Sequence, residues 1–600
     1  MRRSVPRIFC VAAAMAVANC ADLALTPDVV PHDMEILPRD TLITAGDEIS
    51  LRVIVYDEDG NIIDGPPSWA PPRWHTNIEG AIDIKRNGDL IGLRGSAVAV
   101  TGRLADLEAF TRLRINPTSV NLSVPVMYFN QVIQNPDGTV PILAGRDALL
   151  RVFAVGHETS FYEPSVRADF YRDGEVIHTE LMEPFSSQLP DHVDETRIDR
   201  SYNAEIPGHV LQPGVELVIV LDPEGLVPQG SASQDRFPAE GTMALNIVSL
   251  PTHRQTIVPT ILNWAPDERV YNWTRDVDGD SRHMQDLRDF MPIADIDVIA
   301  HETMNTSADI RNINGWDQWI REVRAMWEME GRQGYYYGAV QLPYQYGIIG
   351  YGYVGNIHVS VGATRSDTFA HEVGHNMSLS HAPCGVSGDP DFPYHDGGSG
   401  MWGWDFERDR LVDPETVKDL MSYCDPIWVS DYHFNKALQY RLRTEGNARP
   451  PVPEPETTLM VWGSASDRSV LLEPAFLVDA PPSPPAAGGP YRLEGFGPAG
   501  EVRFAFDFTP DPMEFGGAQF HFNLPYDPVR DGALERVVLS GPGGEATLSP
   551  MSAPPMAIVR NSVSGQIRAF LRDWDGTVPA AVEGSTFEIM FSDGIPGGVR

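Results

Sequence analysis

The tightest constraint on this chain lies between Thr368 and His381, where His371, Glu372, His375 and His381 stand at fixed offsets. Residues four apart on a helix lie on one face, one turn apart, so His371 and His375 can offer imidazole nitrogens to the same divalent ion. Glu372, next to the first ligand, can reach a metal-activated water without filling a coordination position. A hydrolytic site needs a third ligand and a fourth position left open for that water, and His381 supplies the third. The short His-Glu-x-x-His pattern alone is only suggestive. Only 16 of 600 residues are histidine, so a further one at a set distance makes accident much rarer.

With Met421 downstream, these residues resemble the metzincin zinc metallopeptidases, whose signature is His-Glu-x-x-His-x-x-Gly-x-x-His followed by a Met-turn. The resemblance covers about Gly347 to Leu442 and is nearest to secreted bacterial types, including the mucin-degrading group. It implies an α/β catalytic domain holding one Zn²⁺ on His371, His375 and His381, with Glu372 as general base. It places Met421, in Asp419-Leu420-Met421-Ser422-Tyr423-Cys424, as an apolar floor under the ligands. Tyr423 takes the position of a tyrosine that steadies the oxyanion; a packing tyrosine is the alternative. One residue departs from the pattern. Ser378 replaces the glycine that lets the chain leave the helix sharply, at a cost of about 1 kcal/mol if its backbone is left-handed.

Six hundred residues exceed one core. The 51 Pro and 53 Gly favour short strands and turns. The expected architecture is multidomain, an α/β catalytic domain flanked by β-sandwiches. Residues 1–20 read as a leader, 21–117 as an Ig-like β-sandwich with the alternating run Leu51–Tyr56, and 118–250 as a second β domain packed on the catalytic one. The catalytic domain spans 251–445, and residues 446–600 form a C-terminal β-rich domain after the proline-rich linker Arg449–Pro455. Within 251–445, Trp316, Trp319, Ile320, Val323 and Trp327 fall on one helical face.

The leader has a basic start (Arg2, Arg3, Arg7) and an apolar run, Ile8–Ala18, too short to span a bilayer. Ala16-Val17-Ala18 fits ordinary signal cleavage. Val17-Ala18-Asn19-Cys20 resembles a lipobox with Cys20 lipidated, although Asn19 stands where a small residue is usual. Both imply export, with an outer-membrane lipid anchor in the second case. An oxidising compartment would let Cys384 and Cys424 pair; two separate thiols are the alternative. The formal charge of −38 argues against nucleic acid as a partner, since binding it needs clustered cations.

Weaker features have bland readings. His358 could line a cleft, but an ordinary strand histidine is favoured; His395 and His433 read as structural or exposed. Asp276-Val277-Asp278-Gly279-Asp280 hints at calcium, but Leu287 occupies the twelfth position, where an EF-hand loop needs Glu. Trp402-Gly403-Trp404 could shape a specificity pocket or simply pack. The reading as a whole is an exported zinc endopeptidase acting on protein or glycoprotein, its substrate laid along a sheet edge. The rival reading is an adhesion or glycan-binding protein on the same scaffold without catalysis.

Overall fold

A computed structural model describes residues 30–64, 71–344, 347–446, 452–486, 488–578 and 586–596. The leader, with Cys20, and part of the linker at 449–455 lie outside the described residues. The chain is mostly β-strand, with few helices.

Ten strands between Asp33 and Asn116 form three small sheets around Ile36, Leu51, Val98, Val100 and Ile115. Burial alternates along Ser96–Leu104, as expected where one face meets a core and the other water. A second β unit follows, and its strand Ala148–Gly156 is buried throughout. This unit packs on the centre of the molecule. Val132, Ile133, Val140 and Leu143 join the central core. The Arg146 guanidinium donates to the carbonyls of Met291 (2.9 Å), Ile293 (3.2 Å) and Asp289 (3.1 Å).

The centre is a nine-stranded sheet. Its first six strands are β1 (His253–Leu262), β2 (Ile296–Ala300), β3 (Met304–Thr306), β4 (Tyr335–Val340), β5 (Gly350–Gly352) and β6 (Val359–Ala363). β1 runs parallel to β2, β3 and β4, and β4 parallel to β6; β5 closes that side as an antiparallel outer strand. Helices cover both faces. α1 (Ile313–Met329) starts at Asn312, whose side chain accepts from the Gly315 N–H at 3.2 Å. It buries the expected stripe of Trp316, Trp319, Ile320, Val323 and Trp327 in one core with Val258 and Leu262. α2 (Ser366–Asn376) and α3 (Asp431–Thr444) lie on the other face with Ile257 and Ile261. The alternation of β1 side chains thus feeds two cores.

Residues 456–548 pair into two further sheets, one of which contains β7 (Ala518–Pro525), around Leu459, Leu493, Phe508 and Leu539. The residues expected as a C-terminal β-rich domain, 446–600, do not all stay in that sandwich. β8 (Met556–Asn561), β9 (Ile567–Arg572) and β10 (Phe587–Ser592) leave that sandwich and complete the central sheet, with β9 parallel beside β3. The reason lies in Met556-Ala557-Ile558-Val559, which is buried at every position and so needs cover on both faces.

A buried ionic network reinforces this junction. Glu473 accepts from Arg321 of α1 at 3.0 Å and from Arg572 of β9 at 2.6 Å, while Arg572 also reaches Glu322 at 3.1 Å. Removing one member of such a set strands its partners' charge away from water. Glu473→Ala leaves two buried guanidiniums short of a counter-charge and is expected to cost about 3–5 kcal/mol. Chemical denaturation of the two proteins measures this; a loss under about 1 kcal/mol would show that the network is effectively hydrated.

Candidate metal centre

The site begins where α2 stops. Ser378 has φ of +68°, in the left-handed region. Its N–H donates to the His375 carbonyl at 2.8 Å, and the Leu379 N–H donates to the Gly374 carbonyl at 3.1 Å. These are the paired bonds of a Schellman cap, with serine where glycine is usual. The turn swings His381 back beside the helix. Ring centroids are 4.9 Å apart for His371 and His375, 5.4 Å for His371 and His381, and 4.7 Å for His375 and His381.

Main-chain carbonyls set the orientation of two rings. His371 Nδ1 lies 2.8 Å from the Leu420 oxygen and His375 Nδ1 lies 2.8 Å from the Leu379 oxygen. A carbonyl only accepts, so each Nδ1 carries the proton and each Nε2 turns a lone pair inward. His375 Nε2 is buried without a hydrogen-bond partner. Burial pushes His371 and His381 down to about 3 and His375 down to about 4, which keeps the rings in the neutral form that binds metal.

Glu372 points from α2 toward β5 and is buried, and its Oε2 has no hydrogen-bond partner. A Cβ on Gly350 would collide with the Glu372 carboxyl, so the glycine in β5 is what gives that group room. Burial drives this carboxyl well above its ordinary range, and the neighbouring Glu514 adds to the shift. Beneath the helix, the fully buried Met421 packs under Gly374, where a Cβ would stand 2.7 Å from Met421 Sδ.

The turn that carries Met421 hangs on one carboxylate. Asp419 accepts from the N–H groups of Met421 and Ser430, both at 2.8 Å, and lies 2.8 Å from His433 Nδ1. His433 is therefore a buried structural residue, and His395 is exposed. Tyr423, half exposed, brings its hydroxyl to 3.3 Å from His381 Nε2. A Cys384–Cys424 disulfide ties the segment after His381 to the segment after Met421.

A cleft of about 530 Å³ opens over the site, lined among others by Ile349, Thr368, Glu372, Tyr423, Ile427 and Phe515. His358 is not part of it. This ring is buried in the core, stacked on Tyr335 at 4.1 Å and 2.9 Å from the Tyr440 hydroxyl. Neither Trp402 nor Trp404 lines the cleft, and Trp404 is buried. The Asp276–Asp280 segment is a hydrogen-bonded turn in which Asp278 accepts from the Asp280 N–H and the Ser281 hydroxyl.

One member of the site has no forewarning in the motif. Glu514 lies far along the chain, yet one ligand atom each from His371, His375, His381 and Glu514 all fall within 4.8 Å of one another. Its Oε2 is 2.7 Å from His375 Nε2 and 4.0 Å from His381 Nε2. Both oxygens are buried and make no hydrogen bond. A buried imidazole nitrogen and a buried carboxylate that lack hydrogen-bond partners are costly unless a cation satisfies them together. The residues present therefore fit a divalent metal ion.

The Peptidase M66 family profile matches residues 281–425, the stretch that holds the three histidines, Glu372, Met421 and Tyr423. This match supports a metallopeptidase domain, for which protein is the substrate class. No curated protein sequence matches the chain. Among solved structures, the titin Ig tandem domains A164-A165 share 9% identity, with 36% of this chain and 94% of that chain covered at a TM-score of 0.17. Domains 5-6 of the S-layer protein SbsC share 9%, with 37% and 99% covered at 0.13. The Drosophila OTK extracellular domains 3-5 share 10%, with 36% and 63% covered at 0.13. Overlap at this level sets no constraint on the fold.

The left-handed Ser378 offers a local test. Ser378→Gly removes a Cβ from unfavourable backbone and is expected to raise stability by about 1 kcal/mol, with metal content unchanged. Thermal or denaturant unfolding of the metal-loaded proteins reads the difference; a destabilised variant would mean that the serine side chain holds the turn.

Proposed function

We propose that this chain is an exported zinc-dependent endopeptidase that hydrolyses protein or glycoprotein substrates at the site formed by His371, His375, His381 and Glu372. One observation carries the reading. Two imidazoles are fixed with their lone pairs inward, a third ring lies beside them, and the buried Glu372 carboxyl, next to His371 on α2, lines the cleft over the site. Imidazole donors in this number suit Zn²⁺. The disulfide agrees with an oxidising compartment outside the cytosol.

Zinc, when bound, supplies a Lewis acid that polarises the scissile carbonyl and acidifies water. The remaining work falls to the chain. His371 and His375 hold their orientation through Leu420 and Leu379. Glu372 is the general base: its carboxylate takes a proton from the attacking water and passes it to the departing amine. Burial under β5, with Glu514 beside it, raises its proton affinity. The Tyr423 hydroxyl, at the cleft mouth beside His381, donates to the carbonyl oxygen as negative charge builds there.

Glu372→Ala is the direct test. The variant is expected to bind one zinc per chain like the parent, yet to lose about 10²–10⁴-fold in kcat/KM on casein or a mucin. Phenanthroline should abolish what the parent does. Equal turnover by parent and variant would remove Glu372 from the reaction.

A further inference from the structure

The corner of the triad that a substrate needs is filled from the other end of the chain. Glu514 sits in the turn between the short strand Asp511–Pro512 and β7. The segment arrives as an added strand. Tyr353, just after β5, bridges antiparallel to Met513. The Val354 N–H donates to the Pro512 carbonyl and the Glu514 N–H to the Gly352 carbonyl, both at 3.4 Å. β5 is the outer strand of the sheet, and among the described residues no other strand pairs with this edge. An extended peptide would bind at that edge by the same main-chain pairing. Phe515 stacks on Tyr351 with ring centroids 5.5 Å apart and lines the cleft. Gly516 and Gly517, both with positive φ, turn the chain away again.

The hairpin is firmly seated. Met513 is buried in the α1 core. Asp511 accepts from Arg324 at 2.6 Å, and the Tyr353 hydroxyl donates to Gln519 at 2.6 Å. Only 1% of the Glu514 side chain is exposed, its oxygens lack hydrogen-bond partners, and they face the histidines. A carboxylate so buried, against imidazoles and the Glu372 carboxyl and with no cationic side chain beside it, is expensive to hold in place. Three imidazoles and one carboxylate make a closed four-ligand set, whereas a catalytic zinc keeps one position open.

We propose that Glu514 is the fourth metal ligand and that residues 512–515 are a built-in, substrate-like inhibitor. The peptidase is latent until this hairpin lifts off β5. Latency rests on the proposed peptidase activity; ligation by Glu514 does not. The full-length chain, loaded with cobalt in place of zinc, separates the two. Glu514→Ala, and the isosteric Glu514→Gln as a guard against misfolding, are compared with the parent. Visible absorption and X-ray absorption read the metal's neighbours, and the rate of metal removal by dipicolinate reads access. Replacement of a carboxylate by solvent in both variants, with faster metal loss, supports the ligand. Identical spectra and identical metal release in all three proteins overturn it. On a quenched peptide, the zinc-loaded variants are expected to exceed the parent by about tenfold or more, as when an inactive state is removed from an equilibrium. Altered spectra with parent and variants equally active would overturn the latency and leave the ligand standing. Altered spectra with no hydrolysis by any of them would overturn the peptidase reading instead.

Discussion

The centre depends on two hydrogen bonds that run away from it. His371 and His375 each give their Nδ1 proton to a main-chain carbonyl, and only for that reason do their Nε2 lone pairs face a common point. The Leu420 carbonyl belongs to the turn that carries Met421, and that turn is held by the buried Asp419 carboxylate. His433, capped into α3 by Ser430, lies against the same carboxylate. A chain of contacts from α3 through Asp419 to Leu420 therefore decides which nitrogen of His371 faces the site. The disulfide then bridges the two segments that bring Tyr423 and His381 together.

The sheet has a comparable hierarchy. β5 reverses direction at the outer side, next to α2, and its glycines leave space for the Glu372 carboxyl. At the other side β8, β9 and β10 finish the sheet with residues from the far end of the chain. Glu473 and Asp511 pin the C-terminal sandwich to the arginines of α1. With the sandwich anchored in this way, the hairpin at 512–515 has a fixed place beside β5, and it brings the Glu514 carboxyl to the histidines and the Phe515 ring to the cleft. Access to the cleft is then a question about a few residues and not about the separation of whole domains.

Much of the site was legible in the residues themselves. The offsets of His371, His375 and His381 reflect helical periodicity followed by a turn, and that information is local. The tryptophan stripe of α1 is equally local, because a helix with one apolar face must bury it. Ser378 stood out as a departure from the usual glycine, and its left-handed backbone follows from a cap geometry that the chain must adopt whichever residue is there. The contact between Asp419 and His433, by contrast, was not legible: His433 reads only as structural or exposed, since nothing in a sequence shows that two residues fourteen apart will share one buried hydrogen bond.

Tertiary structure alone decided the rest. Met556–Val559 reads as a buried strand, but the pattern cannot name its partners; only the assembled sheet places it two strands from β3. Glu514 is one of 83 acidic residues and sits beside no motif. It meets the histidines because β7 and α1 lock the preceding turn against the edge of β5. Local periodicity fixed which side chains could converge on an ion. Long-range pairing, with no signature in neighbouring residues, fixed what stands in the remaining corner.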